Sequence, residues 1–321
     1  MLLSTVAALS VQSAPLRADT WRLEQGQKWE PVATKDKDAY LLAVARTEKL
    51  VKRGEHKLLA EEWEQLKDKF ANIEAEDLDM FIKAEILFCK GKFYKAAYTY
   101  AKFLDAEYYD SALYQAALER RFHIGQAYLG GRKKRVLLFF EIRGYAEGVK
   151  IMDRISERAA DRPIGLQAAL QVAKYYERRN KWQEAYLKWS EISWQWQNKP
   201  IAKDALLAMA RCKHAAYRGP RFNAAHLRSA RTYYEDFALR YAQDAEELGI
   251  DEILDTIDEE MANKQLTIAR YYDRTGKQRP ANLYYDMVIR NWPETEAARR
   301  AKQELDGQEE LESAENEDEN L

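Results

Sequence analysis

The sequence predicts an all-α protein built as a tandem array of αα-hairpins, and three observations carry that prediction. Apolar and small residues recur at helical spacing on both sides of short turns, so each helix has one face that needs covering. The same order of residue types returns several times along the chain. The 321 residues include only thirteen glycines and seven prolines, which fall at the turns rather than in a linker-like cluster. Length alone would allow two compact domains, but an array that grows in one dimension needs no such division, and a single continuous superhelix is expected.

The cleanest unit runs from Gly165 to Pro200. Ala169, Val172, Ala173 and Tyr176 lead to a turn at Asn180, and Trp182, Ala185, Trp189 and Ile192 follow it. This order resembles the tetratricopeptide repeat, a helix–turn–helix unit of about 34 residues. Ala173 and Ala185 are the expected close-approach positions, with Tyr176, Trp182 and Trp189 filling the space between helices.

At the N-terminus, Met1 to Ala18 is apolar and small-residue rich before a polar break at Arg17 and Asp19, which resembles a secretory signal with cleavage after Ser13 or Ala18. No basic residue precedes the apolar run, and the run is too short to anchor the chain across a bilayer. Residues 19–38 carry Trp21, Trp29 and Pro31 without a helical period, an extended lead-in expected to lay one or both indoles on the first hairpin. The array then occupies residues 39–305 in about six hairpins. The segment Asp77 to Asp110 repeats the pattern through Ala84, Leu87, Gly91, Phe93, Ala96, Tyr100 and Phe103, and Ile268 to Pro293 repeats it through Ala269, Tyr272, Gly276, Ala281, Tyr285 and Val288. Weaker copies lie at Tyr40 to Ile73, Leu118 to Arg162 and Ile201 to Tyr241. In the second of these, an insertion from Gly130 to Gly144 separates Ile124, Gly125 and Tyr128 from Tyr145, Gly148, Met152 and Ile155. Ala297, Ala298, Ala301 and Leu305 mark one face of a capping helix, and residues 306–321 are acidic and nearly devoid of apolar side chains, as in a disordered tail.

Apolar residues at 46% can fill helix interfaces, while 32% charged residues cover a large surface. The formal net charge of −2 excludes the whole chain as a polyanion binder. A local basic run, Arg132, Lys133, Lys134 and Arg135, sits on the insertion, where it is either a solvated loop or a contact for phosphates or an acidic partner. Cys89 and Cys212 are expected as separate free thiols. No enzyme signature is present: His56, His123, His214 and His226 occur singly, no paired cysteines or HExxH motif could hold a metal, and no strand is expected to lead into a glycine-rich phosphate loop. No cofactor, metal or small-molecule substrate is expected. Trp194 and Trp196 are candidates either for packing on the next hairpin or for an exposed anchor.

Between Ala202 and Tyr241 the residues Cys212, Gly219-Pro220, Phe222, Leu227, Ala230, Tyr233, Phe237 and Tyr241 give a long first helix, a GP turn and an A-x-x-x-Y-x-x-F helix. This stretch, with HIGQAYLGG and the insertion after it, resembles the outer-membrane assembly lipoprotein family, the BamD-like or ComL-like repeat proteins. The resemblance implies a non-enzymatic periplasmic scaffold, associated with the outer membrane, that binds a barrel-inserting partner and β-barrel clients. The family's lipobox cysteine has no counterpart before Cys89, so no lipid attachment is expected, and the chain is either a soluble periplasmic version or attached through a partner. The alternative is a general tetratricopeptide-repeat adaptor of another envelope or cytoplasmic complex. By repeat register, Leu41, Val44, Leu78, Phe81, Glu85 and Phe88 are candidates for a concave client-binding wall, or else pack on the neighbouring hairpin. Arg218, Arg221, Arg228 and Arg231 are candidates for docking a folded partner domain.

Overall fold

A computed structural model describes residues 21–23, 29–31, 47, 49–50, 53–69, 76–106, 113–135 and 141–319. Among them are thirteen helices that pack as consecutive neighbours, the arrangement of a tandem hairpin protein. The chain divides into two compact units, residues 1–121 and 122–321.

The first unit contains α1 (His56–Lys69), α2 (Glu76–Cys89), α3 (Phe93–Asp105) and the first half of α4 (Leu113–Leu129). Leu59, Trp63 and Leu66 form the buried stripe of α1, and the Trp63 indole donates to Asp79 Oδ1 at 3.1 Å. α2 and α3 form one hairpin. Ala96 and Ala97 let the helices approach, while Phe81 meets the rings of Tyr100 and Phe103 edge-on at centroid distances of 5.8 and 5.9 Å. A pair β1 (Trp21–Leu23) and β2 (Trp29–Pro31) forms a small antiparallel ladder within the expected extended lead-in. The signal-like segment 1–18 lies outside the described residues.

The second unit runs through α5 (Tyr145–Arg158), α6 (Pro163–Arg178), α7 (Trp182–Gln195), α8 (Ile201–Ala215), α9 (Ala225–Arg240), the short α10 (Ala242–Glu247), α11 (Ile250–Arg274), α12 (Gln278–Asn291) and α13 (Glu296–Glu319). Its turns explain the recurring Gly or Asn of the sequence. At the end of α6, Asn180 N–H donates to Glu177 O at 2.9 Å and Lys181 N–H to Tyr176 O at 2.9 Å, with Asn180 at φ 54°. This is a Schellman closure, which needs the left-handed region that Gly and Asn enter at least cost. The same pair of bonds ends α2 at Gly91 and Lys92 and α11 at Gly276 and Lys277. Ala169, Ala173 and Ala185 are fully buried in one cluster with Trp189, Ile192, Trp196 and Cys212, so the small residues do stand between helices. At Gly148 a Cβ would come within 2.9 Å of Leu129 N, which makes glycine the residue that lets α5 cross α4 there.

Two features depart from the sequence expectation. The insertion contains strands β3 (Lys133–Arg135) and β4 (Glu141–Arg143), an antiparallel ribbon where no strand was expected. Three-residue strands of mostly charged residues carry no alternation to read, and the ribbon is set by its ends: Gly131 N–H bonds Tyr128 O, and Gly144 N–H bonds Arg132 O at 2.9 Å. The second departure is α13, which continues past Leu305 to Glu319 rather than stopping where its apolar stripe ends. Its Glu-, Gln- and Ala-rich sequence has high intrinsic helix propensity, which needs no buried face.

The capping role of α13 is supported by polar contacts as well as by Ala297, Ala298 and Ala301. The Glu259 carboxylate accepts from the Glu296 and Ala297 amides at 2.7 and 3.1 Å, satisfying donors that open a helix. Farther along, Glu304 accepts from Arg270 Nε at 3.0 Å and from the Tyr285 hydroxyl at 3.0 Å. Partial burial raises the Glu304 pKa, but these hydrogen bonds and the Arg270 charge outweigh it and hold the carboxyl below its ordinary 4.5. A carboxyl lowered by folding stabilises above its unfolded value, and that contribution is lost as pH falls through the folded one. Glu304→Gln should therefore cost about 1 kcal/mol at pH 7. In thermal melts the gap from wild type should close as the solution is acidified below the carboxylate range; a gap that persists at low pH would mean that Glu304 acts by packing.

Candidate functional site

Of the four described residues expected to form an apolar client wall, three are core. Leu78, Phe81 and Glu85 are buried, and Phe88 is half-buried, stacked on Phe93 at 5.1 Å with the Arg120 guanidinium 5.3 Å from its ring. Glu85 is only 1% exposed. Its Oε1 accepts from Tyr100 Oη at 2.5 Å and from Arg120 Nε at 2.8 Å, which makes it the polar centre of the first unit. Burial and the adjacent Glu85 charge push the Tyr100 hydroxyl far above its usual range, so Tyr100 is a permanent donor. These described residues hold the hairpin together and do not present an exposed wall. Leu41 and Val44 lie outside the described residues.

The proposed docking arginines separate by environment. Arg218, Arg221 and Arg228 are exposed, whereas Arg231 is half-buried, donating from Nε to Asp258 Oδ1 at 3.0 Å and bonding Glu235 as well. Arg231 thus ties α9 to α11. Arg218 belongs to a groove of about 710 Å³ in the second unit, which sequence reasoning missed as a site. One wall is the turn Asn180, Lys181 and the start of α7 at Trp182 and Glu184; the other is the end of α8, the GP loop and the start of α9, with Phe222 and His226. Trp182 was expected as a filler only; it is partly buried and lines the groove from the side of its own hairpin.

The groove's loop wall is braced from behind. Lys264 Nζ donates to Phe222 O at 2.6 Å and to Pro220 O at 3.3 Å, fixing the GP turn against α11. Phe222 nevertheless keeps 51% of its surface exposed, with the Arg218 guanidinium 5.8 Å from its ring. The helices that carry the two walls are also joined to each other: the Lys213 ammonium of α8 sits 3.7 Å from the Tyr186 ring centre of α7, and Tyr186 and Tyr233 of α9 share a hydroxyl hydrogen bond of 2.7 Å. The arrangement offers exposed aromatic surface and both signs of charge on fixed backbone, features suited to gripping another chain. The exposed Phe222 between a GP turn and the start of a helix is the sequence signal that could have located it.

The two tryptophans of uncertain role take opposite places. Trp196 is buried and donates to Ala160 O at 3.1 Å, while Trp194 is 78% exposed beside a smaller cavity of about 320 Å³ that includes Leu206 and Arg240. The cysteines are free. Burial, reinforced by Glu177, pushes the Cys212 thiol up to about 12, and burial raises Cys89 as well, so neither is a poised nucleophile. Among the described residues, no cluster of His, Cys, Asp and Glu could hold a metal ion, and no helix is long and apolar enough to cross a membrane.

No protein-family model matches the chain, and no match to it was found among curated proteins. Among solved structures, it overlaps the C-terminal part of a TPR repeat-containing protein from Cytophaga hutchinsonii with 16% identity and a TM-score of 0.38, over 82% of this chain and 87% of that one. PilW, a type IV pilus biogenesis factor, overlaps with 16% identity and a TM-score of 0.29, over 84% and 99% of the two chains. The apo form of RapI does so with 13% identity and a TM-score of 0.33, over 83% and 99%. These identities and scores are too low to weigh, and the helical-repeat assignment rests on the hairpins of this chain.

Proposed function

We propose that the protein is a non-enzymatic scaffold that captures partner proteins, with the groove between the Asn180 turn and the GP loop as its main recognition site. The observation that carries this reading is Phe222, an aromatic side chain left half-exposed on a loop whose backbone is pinned by Lys264. A loop fixed in this way loses little freedom on binding, so aromatic contact surface is used with a small entropic cost.

The finer reading rests on the resemblance between Ala202 and Tyr241, which covers the same α8, GP loop and α9 that build one wall of the groove. On that basis the scaffold serves outer-membrane β-barrel assembly in the periplasm, and its partners are a barrel-inserting protein and β-barrel clients. Affinity capture from envelope membranes should recover a barrel-inserting protein with the wild-type chain. Phe222→Asp should lower that recovery at least tenfold, the usual scale for removing a central aromatic anchor. Equal recovery by both forms would remove the groove from the reading; recovery of other partners through Phe222 would retain the scaffold and discard the assembly role.

A further inference from the structure

The cations around the groove lack the counter-charges that folding supplies elsewhere. From Ala205 to Tyr234 the sequence contains no Asp or Glu and six Lys and Arg residues, although the whole chain carries a net charge of −2. Three of the six are engaged within the fold: Arg211 reaches Glu177 at 3.4 Å, Lys213 lies over the Tyr186 ring, and Arg231 is bonded to Asp258. Arg218, Arg221 and Arg228 are exposed, and among the described residues none of them pairs with a carboxylate. Glu184 is the one carboxylate that lines the groove, and it lies 3.7 Å from Lys181 on the same wall. Arg218, on the opposite wall beside Phe222, is left without a counter-charge.

We infer that the groove takes an acidic, extended segment of a partner protein, with an Asp or Glu side chain on Arg218 and a neighbouring apolar side chain against Phe222 and Trp182. This rests on the scaffold reading above and deepens it, since it names the chemistry of what the same groove captures. A guanidinium matches a carboxylate through two parallel hydrogen bonds, which fixes orientation as well as charge. The polar lining selects a polypeptide among anions. Asn180, Gln183 and Asn223 all line the groove, and each carboxamide can both donate and accept, as the N–H and C=O groups of an extended backbone require. Asn223 Oδ1 already accepts from Ala225 N–H at 2.8 Å, which leaves its NH2 group to donate. A polynucleotide fits less well, because its unbroken row of phosphates would meet Glu184. A bilayer surface is too flat to enter a recess of about 710 Å³ between two sets of helix ends.

Fluorescence anisotropy with the full chain tests it, using a labelled peptide that carries one Phe between two Asp-Glu pairs and a matched peptide with Asn-Gln in their place. The acidic peptide should bind saturably, more weakly as salt is raised, and at least tenfold tighter than the amide peptide. Arg218→Gln should weaken the acidic peptide about tenfold, the scale of one charge-assisted hydrogen bond, and leave the amide peptide unchanged. Arg274→Gln makes the same change in net charge at the end of α11 and should behave like wild type. Phe222→Ala reports on the groove itself and should weaken both peptides by a similar factor. Equal binding of the two peptides, both through Phe222, would overturn the acidic selection and leave the capture groove standing. Preference for the acidic peptide that is indifferent to both Phe222 and Arg218 would overturn the groove as well. No binding of the acidic peptide, or tighter binding of a thymidine oligonucleotide or of phosphatidylglycerol vesicles, would overturn the inference, with the groove then judged by whether protein capture still depends on Phe222.

Discussion

Trp189→Ala should destabilise the second unit by about 3–5 kcal/mol, the scale for truncating a buried indole to a methyl group. The Trp189 ring fills the buried cluster formed by Ala169, Ala173, Ala185, Ile192 and Cys212, where the neighbouring small residues have no side chain to move into the space. Its Nε1 also donates to Glu177 Oε1 at 3.0 Å, and Glu177 in turn accepts more weakly from Arg211 and Cys212. Trp189→Phe separates the two effects, because it keeps most of the volume and gives up the hydrogen bond, at a cost of about 1 kcal/mol beyond the smaller ring. A hairpin array distributes stability between neighbouring repeats, so amide exchange across α6, α7 and α8 should accelerate more than exchange in α12. Loss of less than about 1 kcal/mol by the alanine variant would show that the cluster is not closely packed.

Arg120→Met should be comparably damaging, for an electrostatic reason. Removing one partner of a buried ion pair leaves a carboxylate without its counter-charge and costs about 3–5 kcal/mol. Glu85 is the buried partner, and its Oε2 has no hydrogen-bond partner among the described residues, so Arg120 and Tyr100 are its main compensation. The double variant Glu85→Gln/Arg120→Met should recover most of the loss, since it removes both charges together while the amide oxygen still accepts from the buried Tyr100 hydroxyl. Chemical denaturation of the four members of this cycle gives the coupling directly. If Arg120→Met is harmless, the Glu85 cluster is not an ion pair in solution.

The fates of these two residues show where sequence reading succeeds. Trp189 and Ala185 were legible because their surroundings are local: the turn at Asn180 fixes which helix faces which, and a repeat supplies several copies of the same pattern. Glu85 was not. It lies four residues after Phe81 and three before Phe88, on one helix face, and repeat register leaves it either on a concave wall or packed on the neighbouring hairpin. Its burial depends on Arg120, 35 residues away, and helical periodicity contains no information about that pairing. The groove was hidden for a similar reason, being assembled from the turn at 180–184, the end of α8 and the GP loop. The resemblance drew attention to one wall through Arg218, but Trp182 on the other was already accounted for as core. The ribbon offered only a basic run, because three-residue strands are too short to show a period.

The scaffold reading is tested most directly by a photo-crosslinking residue placed at Phe222 in cells, with Leu283 as an equally accessible reference position on α12, 62% exposed. The account predicts a discrete protein adduct at 222 that is absent at 283, and the outer-membrane assembly reading predicts that mass spectrometry identifies it as a barrel-inserting protein. No adduct at 222, or the same adducts at both positions, would contradict the claim that this groove captures a partner.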